Sequence, residues 1–192
     1  MTTSFGFIGD IHGSDKKLRR LLSLHEVQRL DTLVFLGDYV NKGRESKSVI
    51  DFLIQLSRER SCIFLQGNHD LTFQKAIQTG DIVPLLKIGG SSCIRSYLQG
   101  TAPADVSAAF LSSIPDNHRT FLNNLEYKFE SIDFIASHKQ ISSKKFSISG
   151  HLDVGQKPLI TELSAQIDTG AGSRSDGLLT ALRWPDLHFF QA

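Results

Sequence analysis

Short apolar runs, each closed by glycine and a polar residue, organise the first third of the chain. Phe5-Gly6-Phe7-Ile8 reads as a buried strand ending in Gly9-Asp10-Ile11-His12-Gly13, which has loop chemistry. Leu18, Leu21 and Leu22 then recur at helical spacing. Leu33-Val34-Phe35-Leu36 predicts a second strand, stopped by Gly37-Asp38. Ser46 is placed to cap a second helix whose Val49, Ile50, Leu53 and Ile54 form one stripe. Ile63-Phe64-Leu65 predicts a third strand ending in Gly67-Asn68-His69-Asp70, with a weaker helix from about Leu71 to Gln78. In open α/β sheets ligands bind beyond the carboxyl ends of strands. Here each of three strands carries Asp, His or Asn at that end.

The middle of the chain predicts two helices, Pro103 to Ser113 and Pro115 to Leu125, the second with His118, Phe121, Leu122 and Leu125 on one face. From Phe129 the pattern turns to strands: Ile132 to Ala136, Phe146 to Ser149, Leu159 to Leu163, Leu178 to Leu182 and Leu187 to Phe190. Trp184-Pro185-Asp186 is the expected turn between the last two. With no repeat, low-complexity tract or linker, residues 1–192 read as a single domain.

Composition narrows the class. With 192 residues, 40% hydrophobic and 21% charged, the chain can bury one sizeable core as a soluble globular protein. A formal charge of +1 supplies no field for nucleic acid or a membrane surface. There is no basic segment followed by an apolar run at the start, and no apolar stretch approaches the ~18 residues of a membrane span. Cys62 and Cys93 lie in apolar stretches and read as buried thiols of a reducing compartment, the cytoplasm. None of this bears on oligomeric state.

The chemistry sits at the strand ends. Asp10 and His12, two residues apart, can point the same way. Asp38 arrives from the neighbouring strand and Asn68 and His69 from the next. His138 follows Ile135-Ala136-Ser137, and His151 follows Ile148-Ser149-Gly150. Any one of these alone would read as a turn residue, a helix cap or a hydrogen-bonded histidine. Together they form a carboxylate, imidazole and amide set suited to divalent ions. Leaving His69 aside, six such ligands suit two metals sharing a carboxylate, and two metals about 3.5–4 Å apart can clamp a phosphoryl group. His25, His118 and His188 lie in ordinary amphipathic or strand contexts and read as structural.

Gly9-Asp10-Ile11-His12-Gly13, Gly37-Asp38-Tyr39-Val40-Asn41-Lys42-Gly43 and Gly67-Asn68-His69-Asp70 resemble the three signature blocks of the calcineurin-like metallophosphoesterases, in particular the phosphoprotein (serine/threonine) phosphatase branch. Ile88-Gly89-Gly90 through Tyr97, Ile114-Pro115 through Leu125, and Ile167 to Gly172 with Leu178 to Leu182 are similar to later segments of that branch. The resemblance implies two mixed β-sheets packed as a sandwich and flanked by helices. It implies a first metal on Asp10, His12 and Asp38, and a second on Asp38, Asn68, His138 and His151. Mn²⁺ is the expected ion, with Fe or Zn as alternatives. It further implies His69 as the general acid, Asn41 as the residue orienting it, and a hydroxide shared by the metals as nucleophile. The implied substrate is a phosphorylated protein or a small phosphate ester.

Three departures bear on substrate. The branch's Asp-Arg is here Asn41-Lys42, which removes a charge beside the acid and replaces a bidentate phosphate grip by a point charge. Its "HAG" reads His138-Lys139-Gln140. A long segment that usually carries a second phosphate-binding arginine is replaced by Lys139 to Gly150. Lys42, Arg44 and Arg174 are then the candidate phosphate contacts. The leading expectation is a phosphomonoesterase. The alternatives are a symmetrical dinucleoside tetraphosphate hydrolase and a weakly active metal-binding protein that recognises a phosphorylated partner.

Overall fold

The computed structural model describes residues 3–99 and 103–192. Strands β1 (Phe5–Ile8), β2 (Thr32–Phe35) and β3 (Ser61–Phe64) run parallel. Strand β9 (Thr180–Trp184) lies antiparallel to β1, with Leu182 opposite Phe7, and β10 (Phe189–Gln191) completes the sheet in the order β10-β9-β1-β2-β3. The second sheet is built from β4 (Lys128–Glu130), β5 (Phe134–Ser137), β6 (Phe146–Ser149), β7 (Leu159–Ile160) and β8 (Ser164–Gln166), ordered β4-β5-β6-β8-β7. Both sheets are mixed: the first is parallel from β1 to the β3 edge and antiparallel on the β9–β10 side, and the second has a parallel centre with antiparallel edges.

Two cores follow from the alternation along the strands. Phe7, Val34, Leu36, Leu65 and Leu182 pack against Phe134, Ala136, Ile148, Ala165 and Ile167, joining the sheets face to face. Alternate residues of the first sheet, Ile8, Leu33 and Phe35, face a larger core with the helices. Helices α1 (Asp15–Leu22), α2 (His25–Gln28), α3 (Ser46–Glu59), α4 (Asn68–Thr79), α5 (Val83–Lys87), α6 (Ser91–Leu98), α7 (Val106–Ser113) and α8 (Asp116–Asn123) all precede β4, and their buried apolar residues belong to this second core. Emptying a position such as Phe134 by truncation to alanine would cost about 3–5 kcal/mol.

Several boundaries differ from the sequence pattern for definite reasons. Glu45, not Ser46, occupies the cap of α3, and the Ser46 hydroxyl instead accepts from the Asn41 backbone N–H at 3.1 Å. Helix α4 starts at Asn68, earlier than its apolar stripe, because its first turn serves a polar site. The Gly89-Gly90 region is bracketed by two short helices, α5 and α6, that periodicity did not predict. Ile132 is 85% exposed and lies before β5, while Leu163 is 73% exposed in the turn between β7 and β8. A single apolar residue at a turn breaks the alternation that a sequence reading relies on. The last strand pair turns at Trp184-Pro185-Asp186, as expected, and an Arg183–Asp186 ion pair of 2.6 Å closes it.

Candidate metal centre

The carboxyl ends of β1 and β2 and the start of α4 meet the ends of β5 and β6 at one edge of the sandwich. There the structure brings together Asp10, His12, Asp38, Asn68, His69, His138 and His151. His12 Nε2 lies 3.8 Å from Asp10 and 3.5 Å from Asp38. His69 Nε2 and His138 Nε2 approach Asp38 Oδ2 to 3.8 and 3.6 Å. Among the described residues Asp38 belongs to both three-residue groups whose ligand atoms lie within 4.8 Å of one another, His12–Asp38–His69 and Asp10–Asp38–His138. These separations are too long for hydrogen bonds and suit atoms converging on a shared ion.

The tautomers strengthen that reading. His12 Nδ1 faces the Val40 carbonyl at 3.1 Å and His138 Nδ1 faces the Leu36 carbonyl at 3.0 Å. A carbonyl only accepts, so each Nδ1 carries the proton and each Nε2 presents a lone pair. The His138 lone pair then faces Asn68 Oδ1 at 3.0 Å and His151 Nδ1 at 3.1 Å. Asn68 Oδ1 and His138 Nε2, both lone-pair atoms, converge there with a ring nitrogen of His151, an O/N set able to hold a divalent ion. Asp10 Oδ2 is buried with no hydrogen-bond partner among the described residues. The donor set therefore fits divalent ions.

Electrostatics agree. Burial, with repulsion from Asp168 and Asp38, holds Asp10 well above the usual carboxylate range. Burial, with Asp70, does the same to Asp38. Burial and neighbouring His151 push His138 down to about 3, and burial and Lys42 push His12 well below its ordinary value. The imidazoles are thus held neutral, the state in which histidine ligates.

The backbone is tuned to the same end. His12, Asp38, Asn41, Lys42 and His151 all adopt positive φ (45°, 53°, 70°, 56° and 69°). Such conformations are costly outside glycine and gather where surrounding structure enforces a functional geometry. Two glycines make room for the carboxylates: a Cβ at Gly67 would collide with Asp38, and one at Gly150 with Asp10.

The three candidate phosphate contacts divide. Lys42 reaches the cluster, its ammonium 2.8 Å from His12 Nε2. Arg44 instead lines a cavity of about 470 Å³ with Ser92, Arg95 and Ser96. Arg174 is engaged by Asp153 and Asp176 at 3.1 and 3.2 Å, and among the described residues no hydrogen bond or ion pair ties it to the cluster. Asn41 Nδ2 lies 2.9 Å from His69 Nδ1, the position of an orienting residue.

Two acidic residues were missed as site components. Asp70 is buried and accepts from the backbone N–H groups of Asp38 (2.7 Å), Tyr39 (2.9 Å) and Gly67 (3.0 Å), so it sets the loop that carries Asp38. Burial pushes its pKa up to about 6 against those hydrogen bonds. Asp168 is buried close enough to Asp10 to raise its pKa. Both stand inside recognisable motifs, so their position beside ligand-bearing segments was the available signal.

A family model for calcineurin-like phosphoesterases matches residues 3–162. The chain belongs to this family. Over 65 residues, 33% of its length, the phosphoesterase is 43% identical to a symmetrical bis(5'-nucleosyl)-tetraphosphatase of Coxiella burnetii, a match spanning 21% of that relative. It is 33% identical over 84 residues to serine/threonine-protein phosphatase 2 of Escherichia coli, covering 43% of the phosphoesterase and 37% of the relative. The matched regions thus span well under half the length of either relative. A crystal structure described as a candidate diadenosine tetraphosphatase aligns over 100% of the phosphoesterase and 94% of its own chain, with a TM-score of 0.71 at 21% identity, a likeness of fold. No helix among the described residues is long and apolar enough to cross a membrane.

Proposed function

We propose that this phosphoesterase is a metal-dependent phosphomonoester hydrolase of the serine/threonine phosphatase type. The observation that carries the reading is the buried Asp38 carboxylate, which lies 3.5, 3.8 and 3.6 Å from Nε2 of His12, His69 and His138. Asp10, His12 and Asp38 would hold one divalent ion, and Asp38, Asn68, His138 and His151 a second, with Mn²⁺ the expected ion and Fe or Zn the alternatives. Such ions supply Lewis-acid charge at the phosphoryl oxygens and lower the pKa of water.

The chain's own residues do the rest. The Lys42 ammonium contributes positive charge to a bound phosphate. His69 Nε2, close to Asp38, delivers a proton to the leaving oxygen. Asn41 holds the opposite ring nitrogen and so fixes the plane of the acid. Asp70 and the tight glycines keep the carboxylates in place and exclude solvent from behind them. The free thiols Cys62 and Cys93 fit a cytoplasmic setting.

A second reading changes only the substrate. The Coxiella relative is a dinucleoside tetraphosphatase, so a symmetrical dinucleoside polyphosphate is the competing substrate class. The test is Mn²⁺-dependent hydrolysis by the wild type and the His69→Ala variant of an aryl phosphate, a phosphopeptide and diadenosine tetraphosphate. The proposal expects loss of turnover on chelation, recovery with Mn²⁺, and a fall of about 10²–10⁴ in the variant. Absence of metal-dependent turnover, or turnover untouched by His69→Ala, would reject it; cleavage of the dinucleotide alone would favour the second reading.

A further inference from the structure

Beside the ligand cluster lies a cavity of about 230 Å³ bounded by Gln66, Gly67, Leu71, Tyr127, Ser137 and Lys139. Asn68 and His138, two of the proposed ligands of the second metal, also line it. Its character differs from that of the centre it adjoins. Leu71, on the first turn of α4, is only partly buried, and Tyr127 is 74% exposed. An exposed aromatic ring beside a polar centre offers a flat face on which a ligand ring can pack.

The position of Tyr127 is well defined although its ring is free. Glu126, just before it, donates to the Phe64 carbonyl at 2.9 Å and accepts from the Gln66 N–H at 2.7 Å. Lys128, just after it, begins β4 and pairs with Ser137. The residue is thus pinned on both sides at the point where the chain passes from one sheet to the other. Among the described residues, the Tyr127 hydroxyl makes no hydrogen bond and the ring no aromatic contact. The Lys139 ammonium also has no hydrogen-bond or ion-pair partner among them. It is near enough to the centre that its charge lowers the pKa of both His138 and His151.

We propose that this cavity is a leaving-group subsite selective for flat aromatic groups, with Tyr127 as its specificity-determining residue. The ring of the leaving group lies against Tyr127 and Leu71, while its phosphoryl group reaches the cluster past Asn68 and His138. Lys139 closes the outer side with its aliphatic stem and offers its ammonium to any anionic substituent. The inference rests on the phosphoesterase reading above, and adds to it a preference among substrates that the metal centre cannot supply. Aromatic stacking tolerates different rings, so aryl esters and nucleoside esters both qualify, whereas aliphatic esters leave the surface uncovered.

The test compares kcat/KM for 4-nitrophenyl phosphate and adenosine 5'-monophosphate with that for β-glycerophosphate, in Mn²⁺, for the wild type, Tyr127→Ala and Tyr127→Trp. The wild type should favour both aromatic esters. Tyr127→Ala should lower that preference about tenfold, chiefly through KM, and Tyr127→Trp should restore it. The higher intrinsic reactivity of the nitrophenyl ester enters the ratio equally in wild type and variants, so it cancels when the ratios are compared between enzymes. Turnover of all three esters with a ratio unmoved by Tyr127→Ala overturns the subsite and leaves the phosphoesterase reading standing. Absence of metal-dependent turnover of every ester overturns both.

Discussion

The Lys42 ammonium donates to His12 Nε2 over 2.8 Å. It is a side-chain cation facing the lone pair that the Val40 carbonyl leaves free by holding the opposite ring nitrogen. Lys42 and a metal ion therefore compete for one atom of His12. The variant Lys42→Met should bind the first Mn²⁺ on the order of two- to tenfold more tightly, the worth of one net hydrogen bond. Its kcat/KM should fall by about tenfold or more through loss of charge at the phosphate. Titration calorimetry reads the first effect and steady-state kinetics the second. Unchanged Mn²⁺ affinity would reject the competition.

Asn41 occupies the place beside His69 where a carboxylate would stabilise a protonated ring. Its Oδ1 is buried with no hydrogen-bond partner among the described residues. Burial, with the charges of Lys42 and His151, pushes His69 down to about 4, so the protonated acid becomes scarcer as pH rises above that value. Asn41→Asp places negative charge at the ring and raises its pKa. The alkaline limb of the kcat profile should move to higher pH, and kcat near neutrality should rise on the order of tenfold. A limb that does not move would argue that His69 is not the acid.

Gly150 donates its N–H to the His138 carbonyl at 3.1 Å and leaves room for Asp10 by its missing side chain. In Gly150→Ala the new methyl group meets the Asp10 carboxylate that also accepts from the His151 N–H at 3.1 Å. Activity in Mn²⁺ should drop at least about tenfold and the bound-metal stoichiometry should fall, with circular dichroism close to wild type. Full metal loading in this variant would show that Asp10 can shift without consequence.

His118 has a structural task away from the centre. Its Nε2 donates to Asp51 and its Nδ1 accepts from the Tyr97 hydroxyl, both at 2.8 Å, tying together α3, α6 and α8. Burial holds His118 below its ordinary pKa of 6.5 and outweighs the opposing pull of Asp51. The unfolded chain therefore takes up a proton as pH falls below about 6.5 while the folded chain resists. The corresponding stability is present above that value and is lost as pH falls through the lowered native pKa. Urea unfolding at pH 8 and pH 5.5 should show a larger drop in the wild type than in His118→Gln. His118→Ala should be destabilised by about 1–3 kcal/mol at the higher pH. Equal pH dependence in wild type and His118→Gln would remove the argument.

Apolar or alternating stretches ending in a ligand-type residue, preceded by glycine everywhere but at β5, made the strands β1, β2, β3, β5 and β6 legible in the sequence, together with the residues that cluster at their ends. For β1 and β2 that is because a strand buried on both faces leaves an apolar run, and the polar residue that stops it marks the end of the strand. The same logic failed where apolar residues sit at turns, as Ile132 and Leu163 do. Distances between side chains from different strands have no counterpart in one-dimensional spacing. Only the tertiary structure decided that Lys42 reaches His12 while Arg44 and Arg174 take up other neighbours, that Asp70 anchors the Asp38 loop, and that Tyr127 stands open beside Asn68 and His138. Those outcomes depend on how two sheets and the positive-φ turns at His12, Asp38, Asn41, Lys42 and His151 aim each side chain.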